Sequence, residues 1–361
     1  MCELLRLEIE ATVNIQHSLL AFAPSLATRE NRKTNTPTRA SAVFLHGGWR
    51  CGSTYVWSRL RECAETLCYY EPFHEVLARC TTKRIWRDTT VTWNSRHPLL
   101  KYPYRYEYLP LLRRVGRRGI RRYREEFAVA EYFPGERSTH AQVAYLRQLV
   151  RQAQRVGKQP VFGFSRSLAR AGVIKEALGG WHAVIRRNPR QQWLSCRSYR
   201  VGEGALYFEL CHFLILALAP PQSPAGWYAR FLGLPRPPAG GFREQLRFME
   251  RALWPWTDEL SYRAFVGVSL LSYEAAMCAA DLIIDMDRLS RERDYRNEVS
   301  AAFFSHCGLE VRFDDCHIAV HDVSDLALDF VAIENDVRRL LRVFGTQPRL
   351  ERELSPALDV P

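Results

Sequence analysis

The patterned part of the chain starts with a short apolar run, residues 41–46 (SAVFLH), that enters a glycine turn. Residues 54–67 follow with Val56, Leu60, Cys63 and Leu67 spaced along one helix face. Residues 68–73 (CYYEPF) predict a second strand that ends at Pro72, whose missing N–H cannot serve a central ladder, and that carries Glu71 at its end. After a poorly patterned stretch, residues 139–156 predict an amphipathic helix, with Val143, Leu146, Leu149, Val150 and Ala153 on one side and a Thr139…Gln142 capping box. A strand at 160–165, a helix at 169–178 and a strand at 182–187 complete the alternation, which argues for an α/β fold with a mainly parallel sheet. The second half predicts helices, including a buried one at 210–220, then a strand at 281–285 and a terminal helix at 331–344.

This pattern divides the chain into a polar leader and linker at 1–40, a single α/β domain at 41–345 and a tail at 346–361. Residues 74–137, rich in Arg, Tyr and Trp, are expected to be an excursion that carries substrate contacts. The balance of 47% apolar and 25% charged residues in a chain of 361 supports a substantial core, and no period of 20 to 50 residues suggests a repeat architecture. The apolar run at 210–220 is shorter than the roughly 18 residues that a membrane span needs. The first 30 residues lack the features of a secretory signal, so a cytoplasmic protein is expected. Ten cysteines scattered singly, without a CxxC pair, indicate neither a zinc site nor a disulfide framework. The formal charge of +12 comes almost wholly from arginine, whose planar fork suits phosphate and sulfate oxygens. Only positioned arginines carry functional meaning.

One such arginine stands in the segment 47–54, GGWRCGST, between the first strand and the first helix. Backbone N–H groups and a helix N-terminus make an anion cradle in such a place. The pattern G-x-x-x-x-G-K-[ST] nearly fits, but Ser53 takes the lysine position, which disfavours an ordinary nucleotide triphosphatase. A Cys-x5-Arg phosphatase loop is excluded, because Trp57 stands six residues after Cys51. Further on, Arg187 ends a strand, Asn188-Pro189 reads as a helix cap with proline at the first helical position, and Ser195 follows on that helix.

Arg50-Cys51-Gly52-Ser53-Thr54 resembles the phosphate loop of the sulfotransferases, in which a Lys or Arg precedes Ser-Gly-Thr-Thr or a close variant. Arg187-Asn188-Pro189…Ser195 is similar to that family's Arg-x-Pro-x-x-x-x-x-Ser, which grips a 3′-phosphate. Weaker likenesses to bacterial and carbohydrate-type members lie at 69–73 and 282–289, so the resemblance covers about residues 41–310. It implies a three-layer α/β/α fold with a P-loop-like loop, and 3′-phosphoadenosine 5′-phosphosulfate (PAPS) as cofactor. Arg50 would be the catalytic cation, with Cys51, Gly52, Ser53, Thr54, Tyr55, Arg187 and Ser195 around the nucleotide. Cys51 departs from the family's usual serine, and the glycine- and lysine-rich segment that cytosolic members carry near the C-terminus is not found.

Sulfuryl transfer also needs a base for the acceptor proton. Glu71 is the first choice and His74 the second, both at the carboxyl end of a strand beside the loop; Glu75 is third. No carboxylate cluster suggests a metal, so metal-independent transfer to a small-molecule or carbohydrate acceptor is expected. Arg113, Arg114, Arg117, Arg118, Arg121, Arg122 and Arg124 could form a basic helical stripe on the acceptor side, but no nucleic-acid motif accompanies them. Two other readings stay open, a nucleotide-dependent kinase on the same fold and a non-catalytic nucleotide- or anion-binding protein. For Cys51 two expectations stand side by side: a thiolate activated by the helix N-terminus and Arg50, or an inert thiol packed under the turn.

Overall fold

A computed structural model describes residues 40–88, 97–114, 117–133, 135–323 and 326–343. The expected leader, save Ala40, and the expected tail lie outside them. In chain order the first half comprises β1 (Val43–His46), α1 (Ser53–Arg61), β2 (Thr66–Tyr70), a short α2 (Thr82–Trp86), α3 (Glu136–Arg155), β3 (Gln159–Phe164), α4 (Ala171–Leu178) and β4 (Trp181–Arg186). Then come α5 (Pro189–Glu203), α6 (Tyr207–Leu218), α7 (Pro224–Phe231), α8 (Phe242–Leu253), α9 (Asp258–Met277), β5 (Leu282–Asp285), α10 (Met286–Arg291), α11 (Arg293–Cys307) and α12 (Phe330–Val343). The fold is α/β: five parallel strands in the order β2-β3-β1-β4-β5.

Alternate strand residues face two different cores, as the period of two requires. Val43, Leu45, Val161 and Ile185 pack with Val56, Trp57 and Leu60 of α1 and with Val299 and Phe303 of α11. Phe44, Phe162 and Phe164 pack instead with Tyr145, Leu146 and Leu149 of α3 and with Phe73, Tyr108 and Phe127. Covering on both sides explains why β1 is buried throughout and reads as a continuous apolar run. The second half builds its own core around α6, whose Leu210, Phe213 and Leu214 are buried among residues of α7, α8, α9 and α12. No helix among the described residues is long and apolar enough to cross a membrane.

Three local readings are corrected. α1 ends at Arg61 rather than running to 67, because the Thr66 hydroxyl donates to the carbonyls of Leu60 and Cys63 (2.8 and 2.9 Å) and closes the turn into β2. α3 starts at Glu136 from an extended Gly135, so Thr139 lies in its first turn and donates to the Gly135 carbonyl; the capping box does not form. The arginines at 113–124 form no helical stripe. That segment folds back through an antiparallel bridge between Leu112 and Ile120, and Arg113 and Arg121 donate to the nearby carbonyls of Tyr123 and Pro110.

A buried histidine pair links the central strands. The Gly179 carbonyl can only accept, so His182 donates to it from Nε2 at 3.0 Å. The His182 Nδ1 must then accept from His46 Nε2 at 2.9 Å, and the His46 Nδ1 accepts from the Ser167 hydroxyl at 2.7 Å. Burial holds His46 well below its usual 6.5 and His182 at about 4; it also lowers His74 and His97 to about 4 and His212 to about 3. In the unfolded chain these rings take up protons below about pH 6.5, so stability is complete above that value and is lost as pH falls toward 4. Glu71, Glu107 and Asp287, raised by burial, act in the opposite direction and are outnumbered. The urea midpoint is therefore expected to fall between about pH 7.5 and about pH 5; a midpoint that rises or stays level across that range would contradict the burial of neutral histidines.

Candidate functional site

The loop after β1 is shaped by two glycines. Gly47 donates to the Phe164 carbonyl (3.1 Å), and a Cβ there would stand 2.5 Å from the Cys51 sulfur. Gly52 has φ +96, a conformation that glycine adopts without strain, and a Cβ there would press on Met286 at 2.8 Å. Arg50, between them, holds φ 65 without that freedom. α1 begins at once, so the amides of Ser53 and Thr54 precede the first i−4 carbonyl of the helix and have no partner within it; the Ser53 amide is set against the Cys51 sulfur. Gln192 of α5 braces the loop by donating to the Trp49 carbonyl (2.8 Å).

The second segment starts where β4 ends. The Asn188 side chain caps α5 by accepting from the amides of Arg190 and Gln191 (3.0 and 3.2 Å), and Pro189 occupies the first helical position. This turns α5 so that Ser195, 2% exposed, meets the loop: its hydroxyl accepts from the Arg50 Nε at 3.1 Å. The Arg50 guanidinium also lies over the rings of Tyr199 (4.9 Å) and Phe208 (5.8 Å). Arg187 donates to the carbonyls of Arg50 (3.3 Å) and Ala319, and its Nε is buried with no hydrogen-bond partner. Burial pulls this guanidinium below its usual pKa, with Asp287 opposing. A largely buried cation held by neutral carbonyls is one that an anionic ligand would stabilise.

Across the loop, Glu71 follows β2 with φ 48 and is 5% exposed. Its Oε2 accepts both from the Ser165 hydroxyl (2.7 Å) and from the Arg166 Nη1 (2.9 Å). Burial raises its pKa, against the pull of Arg166 and Ser165. Arg166, two residues after the end of β3, also pairs with Glu75 (3.3 Å) and donates to the Tyr207 hydroxyl, which in turn donates to Glu75 (2.9 Å). For Glu75 burial acts upward, yet His74 and Arg166 hold it below the usual carboxylate range. His74 caps the turn at Glu75–Arg79: its Nδ1 lies 3.2 Å from the Val76 amide and 3.1 Å from the Glu75 Oε2.

These elements enclose one cavity of about 890 Å³. Arg50, Gly52, Ser53, Thr54, Tyr55, Glu71, His74, Glu75, Arg187 and Ser195 all line it. The Thr54 hydroxyl bonds the Tyr70 hydroxyl (3.1 Å), and the Tyr55 hydroxyl donates to Asp315 (2.7 Å) on the segment that brings His317 to His321 over the cavity. Cys51 is the exception. It is fully buried, its sulfur lies beneath Gly47, and it does not line the cavity. The sequence reading missed Arg166, although an arginine just after a buried parallel strand was a readable sign. It also missed Tyr207 and Phe208, for which no local pattern existed. Among the described residues, no group of three or more His, Cys, Asp or Glu side chains could hold a metal ion.

Burial raises the Cys51 thiol, outweighing the contacts from Ser53 and Gly48 that favour the thiolate. The packed-thiol expectation therefore replaces the activated one. In timed alkylation read peptide by peptide, exposed Cys278 is expected to label well before Cys51. Rapid labelling of Cys51 in the native protein would contradict this placement.

Comparison with known proteins finds no matching family model, no matching curated protein and no matching solved structure.

Proposed function

We propose that this chain is a sulfotransferase that uses PAPS, and that the segment 47–54 acts as a P-loop-like cradle within a three-layer α/β/α arrangement in a cytoplasmic protein. The reading is supported chiefly by Arg187: a cation with a buried, unpartnered Nε, beside Ser195 and Arg50 at the mouth of the loop. Arg187 and Ser195 would hold the 3′-phosphate, and the loop amides with Ser53 and Thr54 would hold the 5′-phosphosulfate. When bound, the cofactor supplies the sulfuryl group and the departing phosphate. Arg50 neutralises charge on the departing oxygen without giving up a proton, since a guanidinium stays protonated. The walls formed by Trp49, Tyr207 and Phe208 limit water at that point.

Glu71 is the base in this account. Its two side-chain donors, Ser165 and Arg166, both fall on Oε2, and in this account the other oxygen, Oε1, takes the proton of the acceptor hydroxyl or amine. Its raised pKa brings it closer to neutrality than an ordinary carboxylate. His74 is committed through Nδ1 to the Val76 amide and the Glu75 carboxylate, so its other ring nitrogen is the one left to orient an acceptor. Ser53 at the Walker lysine position remains unfavourable to a kinase.

Thermal shift with adenosine 3′,5′-bisphosphate against ATP plus magnesium tests the reading. A ligand at about 100 times its Kd adds roughly 2.7 kcal/mol of stability, and the bisphosphate is expected to give the larger shift. Equal shifts, or a larger one with ATP, would contradict the assignment. Arg187→Ala is expected to weaken bisphosphate binding about 10- to 100-fold, and Ser195→Ala less, because a charge-assisted hydrogen bond is about twice as strong as a neutral one. Arg50→Ala should cut turnover about 100- to 1,000-fold at matched folding. Glu71→Gln should slow turnover with bisphosphate affinity unchanged, and should abolish an acid limb in the pH profile that lies above the usual carboxylate value, since the base must be deprotonated. A parent profile flat through the mildly acid range would remove Glu71 from the reaction.

A further inference from the structure

We infer that the rim of the cavity carries a membrane-docking face, on which Trp86, Leu99, Tyr102 and Tyr106 enter the headgroup layer of a bilayer and the basic side chains around them meet anionic lipid. The inference is independent of the sulfotransferase reading. The face is built by α2 and by the segment 97–106. Ile85, 1% exposed, seats α2 in the core with Leu77, Tyr108 and Leu111, and leaves Lys83, Arg84, Trp86 and Arg87 outside. The neighbouring segment is pinned from beneath. Buried Tyr104 donates its amide to the Asp88 carbonyl (3.1 Å) and its hydroxyl to the Pro98 carbonyl (2.5 Å), and Arg61 donates to the carbonyls of Tyr102 and Pro103 (3.2 and 2.7 Å). With residues 103–105 buried, Tyr102 and Tyr106 on either side of them stay exposed.

The exposed rings form one cluster. Trp86 meets Tyr106 edge to face with ring centres 5.4 Å apart, Tyr102 stacks on Tyr106 at 5.1 Å, and the Lys101 Nζ lies 5.5 Å from the centre of the Tyr102 ring. Trp86 is 52% and Leu99 82% exposed, so the folded chain leaves in water apolar surface whose burial would be favourable. Lys83, Arg84, Arg87 and Lys101 are exposed beside it. The nearest carboxylates in sequence are already matched, Asp88 by Arg105 (2.6 Å) and Glu107 by Arg61 (2.7 Å). The face therefore combines apolar rings with charge of one sign, which complements anionic lipid; Trp and Tyr flanked by Lys and Arg suit the boundary between headgroups and acyl chains. Other occupants fit less well. Four apolar side chains fall far short of the roughly 20 residues a side of a stable protein interface. Tyr106 packs against both Tyr102 and Trp86, which removes the open ring face that a sugar would stack on. Arg84, Arg87, His97 and Pro98 also line the cavity, so docking here brings its mouth to the lipid surface.

The test sediments the full chain with sucrose-loaded vesicles of phosphatidylcholine, with or without about 30% phosphatidylserine. The parent is expected to bind the anionic vesicles about tenfold or more tighter than the neutral ones, and less tightly as salt is raised. Lys83→Gln/Lys101→Gln should bring that preference below about threefold. Trp86→Ser/Leu99→Ser should weaken binding to the anionic vesicles about tenfold. All four positions are exposed and lie outside the cavity lining, so the urea midpoints of both variants should stay close to the parent's. On the parent alone, phosphatidylcholine brominated near the headgroup should quench part of the tryptophan fluorescence on binding. Absence of binding to the anionic vesicles, equal affinity for the two compositions, binding without quenching, or binding that either variant retains in full overturns the proposal. So does a dimer that Trp86→Ser/Leu99→Ser dissolves, which would assign the face to a second copy of the chain. The bisphosphate thermal shift, read without lipid, reports on the sulfotransferase reading separately.

Discussion

The backbone ladder between β1 and β4 decides where two loops 137 residues apart in sequence meet. Its parallel register sets Val43 against Trp181 and His46 against Val184, so the two strands end at nearly the same level. The chain leaves β1 toward β2 on one side and leaves β4 toward β5 on the other. Adjacent strands with diverging connections open a crevice at their carboxyl ends, the place where open α/β sheets take ligands. The Gly47 loop and Arg187 enter that crevice from its two sides, and the Arg50–Ser195 bond spans it. A one-residue slip of β4 would turn its Ala183 and Ile185 away from α1 and α11, so the core enforces the register on which the site depends.

Electrostatics divides the arginines around the cavity into two kinds. Arg166 is buried among carboxylates and a phenol, which repay part of its desolvation and stiffen the end of β3. Arg105 is settled in the same way by Asp88. Arg50 and Arg187 are different: a serine, aromatic faces and backbone carbonyls hold them, and neither makes an ion pair among the described residues. Asp287 acts on Arg187 without pairing with it, and cations without a paired carboxylate inside a cleft are the natural contacts for an anionic ligand. Positive φ at Arg50 and Glu71, on opposite sides of that cleft, places backbone strain where the chemistry is proposed to occur.

Much of this was legible along the chain. The apolar runs that became β1, β3 and β4 stand out because both of their faces are covered. The cap at Asn188-Pro189 announced α5 because it is local chemistry between neighbouring residues. The convergence of Arg50, Arg187 and Ser195 could be anticipated from two spaced motifs. The Cys51 side chain could not, because its burial depends on the space left under Gly47, a tertiary property. The arginine cluster misled for a related reason: four-residue spacing is necessary for a helical stripe but not sufficient. Here the bridge between Leu112 and Ile120 favours a turned segment in which the guanidinium groups find nearby carbonyls. Thr139 carries a cap's chemistry, yet α3 starts three residues earlier, from an extended Gly135.

The central claim is that the crevice between β1 and β4 holds an adenosine 3′-phosphate. A crystal structure of the chain with adenosine 3′,5′-bisphosphate tests it most directly. The account predicts the 5′-phosphate against the amides of Gly52 to Thr54. It predicts the 3′-phosphate within hydrogen-bond distance of both Arg187 and Ser195, with Arg187 released from at least one of the carbonyls of Arg50 and Ala319. A bisphosphate bound elsewhere, or bound here with its 3′-phosphate away from Arg187, would contradict it.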